Sequence, residues 1–286
     1  MSKHRQPSDA SVLIAGIARN CARSLEPTLN GLLSATRRFA RCETMIVESD
    51  SSDGTIGVLE RLQNEKLRYR SLGALKSDIP LRTERIAHCR TILQSWIAEQ
   101  HSDFDYVVLA DLDGVNAAVT STSIESCWKM RVPWDVATAN QRGPYYDVWA
   151  LRHSYWSPND CWQAAKALEP IFGRSSAREL AIRSRQQTLP SSSHPVGVAS
   201  AFGGLGIYRM SAYLSGTYNG AEGGNPVCEH VPFHKTLREN GFQIYINPAM
   251  LNESPKEHLT DRNTGISETL RSASQFFSRL DNWFKR

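Results

Sequence analysis

The chain has 286 residues, of which 41% are hydrophobic and 22% are charged, and its formal net charge is +4. These fractions are ordinary for a soluble globular protein, and the length suits one large α/β domain or two smaller ones. The mild positive charge permits anionic ligands such as nucleotides but does not require nucleic acid, so we predict no nucleic-acid partner.

Cysteine usage and apolar runs constrain the cellular compartment. The six cysteines are scattered without a C-x-x-C pair, so neither a zinc knuckle nor a disulfide framework is indicated. Residues 1–10 are polar and lack the apolar core of a signal peptide, and no apolar run is long enough to span a bilayer. We therefore expect a cytoplasmic protein in a reducing environment.

Strands and helices alternate along the first 115 residues. Short apolar runs rich in β-branched residues predict buried strands at 11–18 and 106–110 and a further strand at 44–47. Residues 67–72 are expected to form another short strand. Apolar residues at helical spacing predict three helices, at 24–39, after residue 55 and at 83–100. This β-α-β-α-β-α-β order predicts an α/β fold with a parallel, doubly wound sheet.

The second half of the chain is less regular. Residues 135–139 and 242–246 predict strands, and 145–151 is a further candidate strand. Residues 229–240 predict a helix. The polar stretch 157–193 ends in a proline and three serines, and we expect it to be an excursion that carries a flexible loop.

An acidic pair follows the fourth strand, in the order Asp111, Leu112, Asp113 and Gly114. Residues two apart at a strand end point to the same side, so both carboxylates can reach one cation. Mg²⁺ is usually bound through one or two carboxylates together with substrate phosphates. The pair therefore indicates a metal or phosphate site, whereas the plainer interpretation is a solvated turn.

Two families share a strand followed by D-x-D. The haloacid-dehalogenase phosphatases carry a D-x-D-G motif that residues 111–114 resemble. That resemblance implies Asp111 as nucleophile and Asp113 as general acid. However, three strand-helix units precede the motif, and no paired acidic motif follows it to hold Mg²⁺.

The chain also resembles the GT-A glycosyltransferases through four motifs in order. They are A-R-N at 18–20, an acid-rich turn with Glu48, Asp50 and D-G-T at 53–55, an R-x-A-x-x-R helix at 85–90, and D-x-D at 111–113. The resemblance implies a GT-A type, Rossmann-like and mostly parallel sheet flanked by helices, with an acceptor-side excursion. It further implies a nucleotide-sugar-binding half at 1–115 and an acceptor and catalytic half of the same domain at 116–267. Apolar residues at helical spacing predict an amphipathic C-terminal helix at 268–286.

Softer matches lie in the second half. The segments 146–152 and 202–204 resemble fungal capsule-associated mannosyltransferases and their bacterial relatives. Two adjacent glycines let the backbone approach a sugar closely because no Cβ intrudes. A bent or bulged strand is an equally good reason for these glycines.

The resemblance assigns residues to three groups. Donor binding is expected from Arg19, Glu48, Asp50, Arg85, Arg90, Asp111, Gly203 and Gly204, although both Arg85 and Arg90 suit structural ion pairs equally well. Metal ligation is expected from Asp111, Asp113 and His258. The catalytic candidates are Glu229, as a base or a hydrogen-bond partner of the acceptor, and Asp147, as an orienting group. His230 and His234 have the spacing of a zinc pair but lack a third ligand at metal spacing.

The function implied is a metal-dependent hexosyltransferase that uses Mn²⁺ or Mg²⁺ and a GDP- or UDP-linked donor. Its acceptor is expected to be a glycan or a lipid-linked molecule of bacterial cell-surface polysaccharide synthesis. The alternatives are a phosphatase that uses Asp111 and a non-catalytic nucleotide-sugar-binding protein. The aromatic and basic residues of 268–286 predict either peripheral contact with the inner membrane face or packing on the domain or a partner subunit, as in a homodimer.

Overall fold

The computed structural model describes residues 4–254, and its centre is an eight-stranded sheet. The strands of this sheet are β1 (Ser11–Ala18), β2 (Arg41–Glu48), β3 (Leu67–Ser71), β4 (Tyr106–Asp111), β5 (Val136–Gln141), β6 (Val196–Gly197), β7 (Leu205–Arg209) and β10 (Ile244–Asn252). A separate two-stranded ribbon consists of β8 (Ala221–Glu222) and β9 (Asn225–Pro226).

The sheet is mostly parallel, with the strand order β3-β2-β1-β4-β7-β5-β10-β6. Strands β3, β2, β1 and β4 are parallel, and so are β5 and β10. Strand β7 runs antiparallel between β4 and β5, and the short β6 is antiparallel at the edge. The predicted fold class, a mostly parallel α/β sheet flanked by helices, is confirmed. Strand β4 comes from the first half of the chain and β7 from the second, so one sheet joins both halves.

Helices cover both faces of the sheet. They are α1 (Ala22–Ala35), α2 (Thr55–Leu62), α3 (Arg82–Gln100), α4 (Ser121–Glu125), α5 (Cys161–Ala181), α6 (Met210–Ser215) and α7 (His230–Glu239). In β1, Leu13 and Ala15 belong to the core under α3, α6 and α7, whereas Val12 and Ile14 belong to the core under α1, α2 and α4. Strands buried on both faces read as continuous apolar runs, and this explains why β1 and β4 are recognisable in the sequence.

The candidate strand at 145–151 is wrong, because the structure has a loop and a turn there. Tyr145, Val148 and Leu151 are buried and supply the apolar pattern that suggested a strand. Their backbone does not pair with the sheet, and the Val148 amide instead donates to the carbonyl of Tyr146. The polar stretch 157–193 contains α5 and a short 3-10 helix at Arg183–Arg185.

Two predictions fall outside the described residues. His258 and the helix expected at 268–286 both lie beyond residue 254. Within residues 4–254, none of the helices combines the length and the apolar character needed to cross a bilayer.

Candidate functional site

A cleft of about 510 Å³ opens at the carboxyl ends of β1, β2 and β4. The register pairs Ala18 with Glu48 and Ile17 with Asp111, so the three strands end at one level. Ligands of open α/β sheets bind at this position, outside the carboxyl ends of the strands. The floor of the cleft is therefore formed by the residues that follow these three strands.

The other walls come from α3 and from the second half of the chain. Residues that line the cleft include Arg19, Asn20, Asp50, Arg82, Arg85, Arg90, Asp111, Asp113, Tyr146, Asp147, Trp149, Phe202, Cys228, Glu229 and His230. Most of the predicted site residues are thus brought together. Glu48, Gly203 and Gly204 do not line the cleft but lie behind its walls.

Asp111 closes β4 at the base of the cleft. Its amide donates to the carbonyl of Gly204 at 2.9 Å, and its Oδ1 lies 3.4 Å from Nη2 of Arg90. Its side chain is 32% exposed. Burial, followed by the negative charge of Asp113, raises the pKa of Asp111 to about 7, and the positive charge of Arg90 opposes this rise.

Asp113 lies at the mouth of the cleft, where it is exposed. Among the described residues, it has no hydrogen-bond or ion-pair partner. Gly114 follows with a φ of +117°, a backbone conformation that glycine adopts without strain and that turns the chain away from the strand. The carboxylate of Asp113 is therefore available to a ligand.

The carboxylates around the base of the cleft outnumber the nearby cation. Asp111 experiences the negative charges of Asp113, Asp147 and Glu229 against the positive charge of Arg90. Such an excess favours a bound cation, and carboxylate oxygens suit Mg²⁺ or Mn²⁺. In residues 4–254, no three His, Cys, Asp or Glu side chains converge on a metal-binding position. Asp111 and Asp113 are two carboxylates at the end of β4, and Mg²⁺ is usually bound through one or two carboxylates when substrate phosphates supply the remaining ligands.

Glu229 lies at the start of α7 and forms a buried ion pair with Arg90. Nε of Arg90 donates to Oε1 of Glu229 at 2.8 Å, and the two side chains are only 3% and 8% exposed. Burial lowers the pKa of Arg90, but the charges of Glu229, Tyr218 and Asp111 more than offset this effect and leave the pKa above its ordinary value. The guanidinium is therefore a fixed positive charge.

Asp50 and Arg85 hold the loop before α3 against the cleft. Asp50 has a φ of +57°, and its Oδ1 accepts from the amides of Leu75 and Lys76, each at 3.0 Å. Nε of Arg85 lies 3.6 Å from Oδ2 of Asp50, and its Nη1 donates to the carbonyl of Ile79. Both side chains line the cleft, but these contacts within the chain already use much of their hydrogen-bonding capacity.

Glu48 and Arg19 differ sharply in their exposure. Glu48 is fully buried and accepts from the amide of Ser51 and from the hydroxyl of Ser71. Arg19 is exposed at the cleft rim, where its Nε donates to the carbonyl of Asp50 at 3.4 Å. Glu48 thus shapes the acidic turn, whereas Arg19 is placed to reach a ligand.

Gly203 and Gly204 have left-handed backbones, with φ of +66° and +78°. A Cβ on Gly203 would lie 2.8 Å from the carbonyl oxygen of Ala139, and one on Gly204 would lie 2.7 Å from Oη of Tyr146. The Gly203 amide donates to Oδ2 of Asp147 at 2.9 Å. These two glycines therefore allow the backbone to pack closely against Ala139 and Tyr146, where a Cβ would not fit.

Sequence reasoning missed a buried amide network behind the D-x-D strand. Nδ2 of Asn116 donates to the carbonyls of Asp111 and Gly204, and its Oδ1 accepts from Asn252. Gln141 donates to both Asn252 and Gly203. Gln141 is the last residue of β5 and Asn252 the last of β10, and the two are paired in register. In the sequence, the only sign of this network was a polar residue at the end of each of these two buried strands.

His230 and His234 serve different structural purposes. His234 is buried, with Nδ1 at 3.0 Å from the hydroxyl of Ser200 and Nε2 at 2.9 Å from that of Tyr208. His230 lines the cleft and stacks on Phe202 with 3.9 Å between ring centroids. Within residues 4–254, neither ring nitrogen of His230 has a hydrogen-bond partner.

Comparisons with known proteins gave solved structures only, since no family model and no curated protein matches the chain. S. aureus TarS (residues 1–349) has 12% sequence identity and a TM-score of 0.47, over 85% of this chain and 59% of its own. The mannosyltransferase PcManGT from Pyrobaculum calidifontis, solved with GDP-Man and Mn²⁺, has 12% identity and a TM-score of 0.48, over 97% of this chain and 66% of its own. Glucosyl-3-phosphoglycerate synthase from Mycobacterium tuberculosis, solved with UDP, has 12% identity and a TM-score of 0.41, over 93% of this chain and 80% of its own.

The chain therefore spans less than two thirds of the length of the first two structures. The similar structures are glycosyltransferases, the class that the four motifs also resemble.

Proposed function

We propose that the chain is a metal-dependent glycosyltransferase that transfers a hexose from a GDP- or UDP-linked donor to a glycan or lipid-linked acceptor. The observation that carries this proposal is the acidic pair Asp111 and Asp113 at the end of β4, inside a cleft with more carboxylates than nearby arginines. A nucleotide diphosphate brings negative charge of its own. A divalent cation held by the carboxylates would offset the combined negative charge of the acidic pair and the diphosphate.

Asp113, with Asp111 beside it, would hold Mn²⁺ or Mg²⁺. Asp113 is the better direct ligand because it is exposed and lacks a partner among the described residues, whereas Asp111 already faces Arg90. The cation, when bound, neutralises charge on the leaving nucleoside diphosphate. His258, the third predicted ligand, lies beyond the described residues and remains a prediction.

Donor binding would use the cleft floor and α3. Arg19 at the rim is free to reach a phosphate or the ribose, and the backbone of the acidic turn at 49–50 borders the same space. Asp50 and Arg85 would contribute by holding the turn in place, since hydrogen bonds within the chain already engage them. Glu48 would support donor binding indirectly, by holding the turn through its hydrogen bonds with Ser51 and Ser71.

Glu229 and Asp147 would position groups at the reacting end of the cleft. The ion pair of Glu229 with Arg90 favours a positioning role, because the guanidinium already holds this buried carboxylate at 2.8 Å. Asp147 fixes the amide of Gly203 and also lines the cleft, so it would orient the sugar or the acceptor.

The acceptor and the cellular setting remain predictions from the sequence. We propose a cell-surface polysaccharide pathway of a bacterium and a cytoplasmic enzyme. Peripheral membrane contact or dimerisation through 268–286 involves residues beyond the described part of the chain.

A donor screen tests the function. The full chain is incubated with a panel of UDP- and GDP-linked sugars in the presence of Mn²⁺, Mg²⁺ or EDTA, and released nucleoside diphosphate is measured by chromatography. We expect slow hydrolysis of one donor that depends on the divalent cation. Calorimetry with UDP and GDP should show cation-dependent binding of the matching nucleotide. If no nucleotide binds with either cation, the proposed function is wrong.

Paired variants test the site. Asp113→Asn should abolish the cation-dependent release and binding, whereas Asp103→Asn, at an exposed position before β4, should leave both unchanged. A folded Asp113→Asn protein with wild-type release contradicts the metal assignment. Hydrolysis of p-nitrophenyl phosphate that is lost in Asp111→Asn would instead support the phosphatase alternative.

A further inference from the structure

Exposed large apolar side chains are concentrated in one segment of the described chain. Five such residues are found in residues 4–254, and four of them lie between positions 155 and 180: Tyr155 is 92% exposed, Ile171 59%, Trp162 44% and Leu180 41%. Isolated exposed apolar residues are common, but a local concentration marks an interaction surface.

Helix α5, which carries three of these residues, is sharply bent. Gly173 interrupts it with φ +77° and ψ +161°, three residues after Pro170. The guanidinium of Arg178 nevertheless lies 5.5 Å from the ring centre of Trp162. In a straight helix these residues would be about 24 Å apart along the axis. The two arms, 161–172 and 174–181, therefore approach each other, and the exposed Ile171 lies next to the bend.

Basic side chains lie beside the exposed Trp162. Lys166, Arg174 and Arg178 line a groove of about 330 Å³ in the bend, together with Trp162. None of these three basic residues forms an ion pair with a carboxylate in the described part of the chain. Glu169 in the same groove offsets one of the three charges. We define the α5 patch as Trp162, Lys166, Ile171, Arg174, Arg178 and Leu180.

The α5 patch begins next to the cleft. Asp160 caps α5 by accepting from the amides of Trp162 and Gln163. Its Oδ2 also accepts from Nε1 of Trp149 at 2.9 Å and from Nη2 of Arg152 at 3.0 Å. Trp149 lines the cleft, so a single buried carboxylate connects the cleft wall to the first turn of α5.

We propose that the α5 patch docks the protein on an anionic phospholipid surface. Exposed Ile, Leu and Trp side chains flanked by Lys and Arg are the combination that inserts at the boundary between headgroups and acyl chains. Tryptophan settles at the headgroup level, and each basic residue gains from the negative surface potential. A second copy of the chain is a poorer occupant, because a two-fold contact would bring the same basic residues together.

Vesicle flotation of the full chain tests this docking. The probes are vesicles of phosphatidylcholine alone and of phosphatidylcholine mixed with phosphatidylglycerol. We expect binding to the mixed vesicles only, and we expect salt to weaken it. Arg174→Ser should weaken the binding about fivefold, because one basic residue near an anionic surface is worth that much. Ile171→Ser should weaken it by at least a similar factor.

Matched controls come from the same protein. Leu33→Ser removes the fifth exposed apolar residue, which is 40% exposed on α1, and Arg37→Ser removes an exposed basic residue near it. Both controls should bind as wild type does. Equal vesicle affinity of Ile171→Ser and Leu33→Ser would overturn the proposal, as would a lack of binding to either vesicle.

Hydrogen-deuterium exchange localises the contact. Peptides that cover 162–180 should gain protection in the presence of mixed vesicles, and this readout is independent of any membrane contact made elsewhere in the chain. Binding without protection of 162–180 would refute docking through α5. If light scattering shows an oligomer that Ile171→Ser dissociates, and no vesicle binding occurs, the patch is instead a contact between copies and the lipid assignment is wrong. Neither result depends on nucleotide binding in the cleft.

Discussion

Replacing Arg90 with methionine should destabilise the chain far more than replacing a well-bonded arginine on the surface. Arg90 is 3% exposed, and its Nε lies 2.8 Å from Glu229 and its Nη2 3.4 Å from Asp111. Methionine keeps much of the aliphatic length but removes the charge. The change therefore leaves Glu229, whose side chain is 8% exposed, without its cation.

The size of the effect follows from this burial. Breaking a buried ion pair by removing one partner costs about 3–5 kcal/mol, because the remaining charge stays in a poorly solvated place. The midpoint of thermal unfolding moves by roughly 2–4 °C for each kcal/mol in a chain of this order of size. The variant should therefore melt roughly 6–20 °C below the wild-type protein. Since folded domains are stable by about 5–15 kcal/mol, it should still fold at low temperature.

Urea denaturation followed by circular dichroism measures the difference. The matched control is Arg61→Met, which breaks a two-bond contact with Glu26 at 2.7 and 3.1 Å on the surface. Exposed ion pairs contribute little, so this control should unfold at the wild-type midpoint. Glu229→Gln, which keeps a hydrogen-bond acceptor near Arg90, should lie between the two. Equal midpoints for Arg90→Met and Arg61→Met would refute the description of a buried pair.

Two further predictions concern backbone conformation and pH. Gly204→Ala should lower the free energy of unfolding by at least about 1 kcal/mol in urea titrations, because its φ is +78° and the new Cβ would lie 2.7 Å from Oη of Tyr146. Gly57→Ala, in α2 with open space around the new Cβ, should instead raise it by about 0.5–1 kcal/mol; equal effects would contradict the backbone assignment. Burial, with a smaller effect of the Arg90 charge, lowers the pKa of His234 to about 3, so the unfolded chain binds a proton that the folded chain excludes between about pH 6.5 and 3. For this histidine, the free energy of unfolding should fall by about 1.4 kcal/mol per pH unit as the pH drops below 6.5. Denaturation at several pH values measures this slope. The slope should be smaller in His234→Gln but not in the control His88→Gln, which changes an exposed histidine.

The first four strands could be predicted because their evidence is local. Strands β1, β2 and β4 each contain a short apolar run, and the polar residues that follow it mark the end of the strand. Strand β1 has the predicted bounds, and β4 ends at Asp111, where the apolar run stops. The D-x-D pair was visible for the same reason, because its strand and its glycine adjoin it in the sequence.

The partners of these residues could not be predicted, because they are distant along the chain. Arg90 and Glu229 are separated by 139 positions, and the sequence left the role of each open. Asn116 and Asn252 are separated by 136 positions, and neither carries a motif. The false strand at 145–151 has a related cause, since buried side chains in a loop give the same apolar pattern as a strand.

The distribution of charge around Arg90 explains why a cation would settle on one side of the cleft. One guanidinium faces two carboxylates, and the shorter contact, at 2.8 Å, goes to Glu229, whereas Asp111 is 3.4 Å away. Coulomb attraction weakens with distance, and the more exposed side of Asp111 is also better screened by water. Glu229 is therefore largely neutralised, but Asp111 retains uncompensated charge beside Asp113, and this repulsion contributes to its raised pKa. A divalent cation would be attracted most strongly by Asp111 and Asp113 together and least strongly by Glu229. The buried ion pair thus separates the acidic residues of the cleft into a pair that suits a metal-bound diphosphate and a carboxylate held back from it.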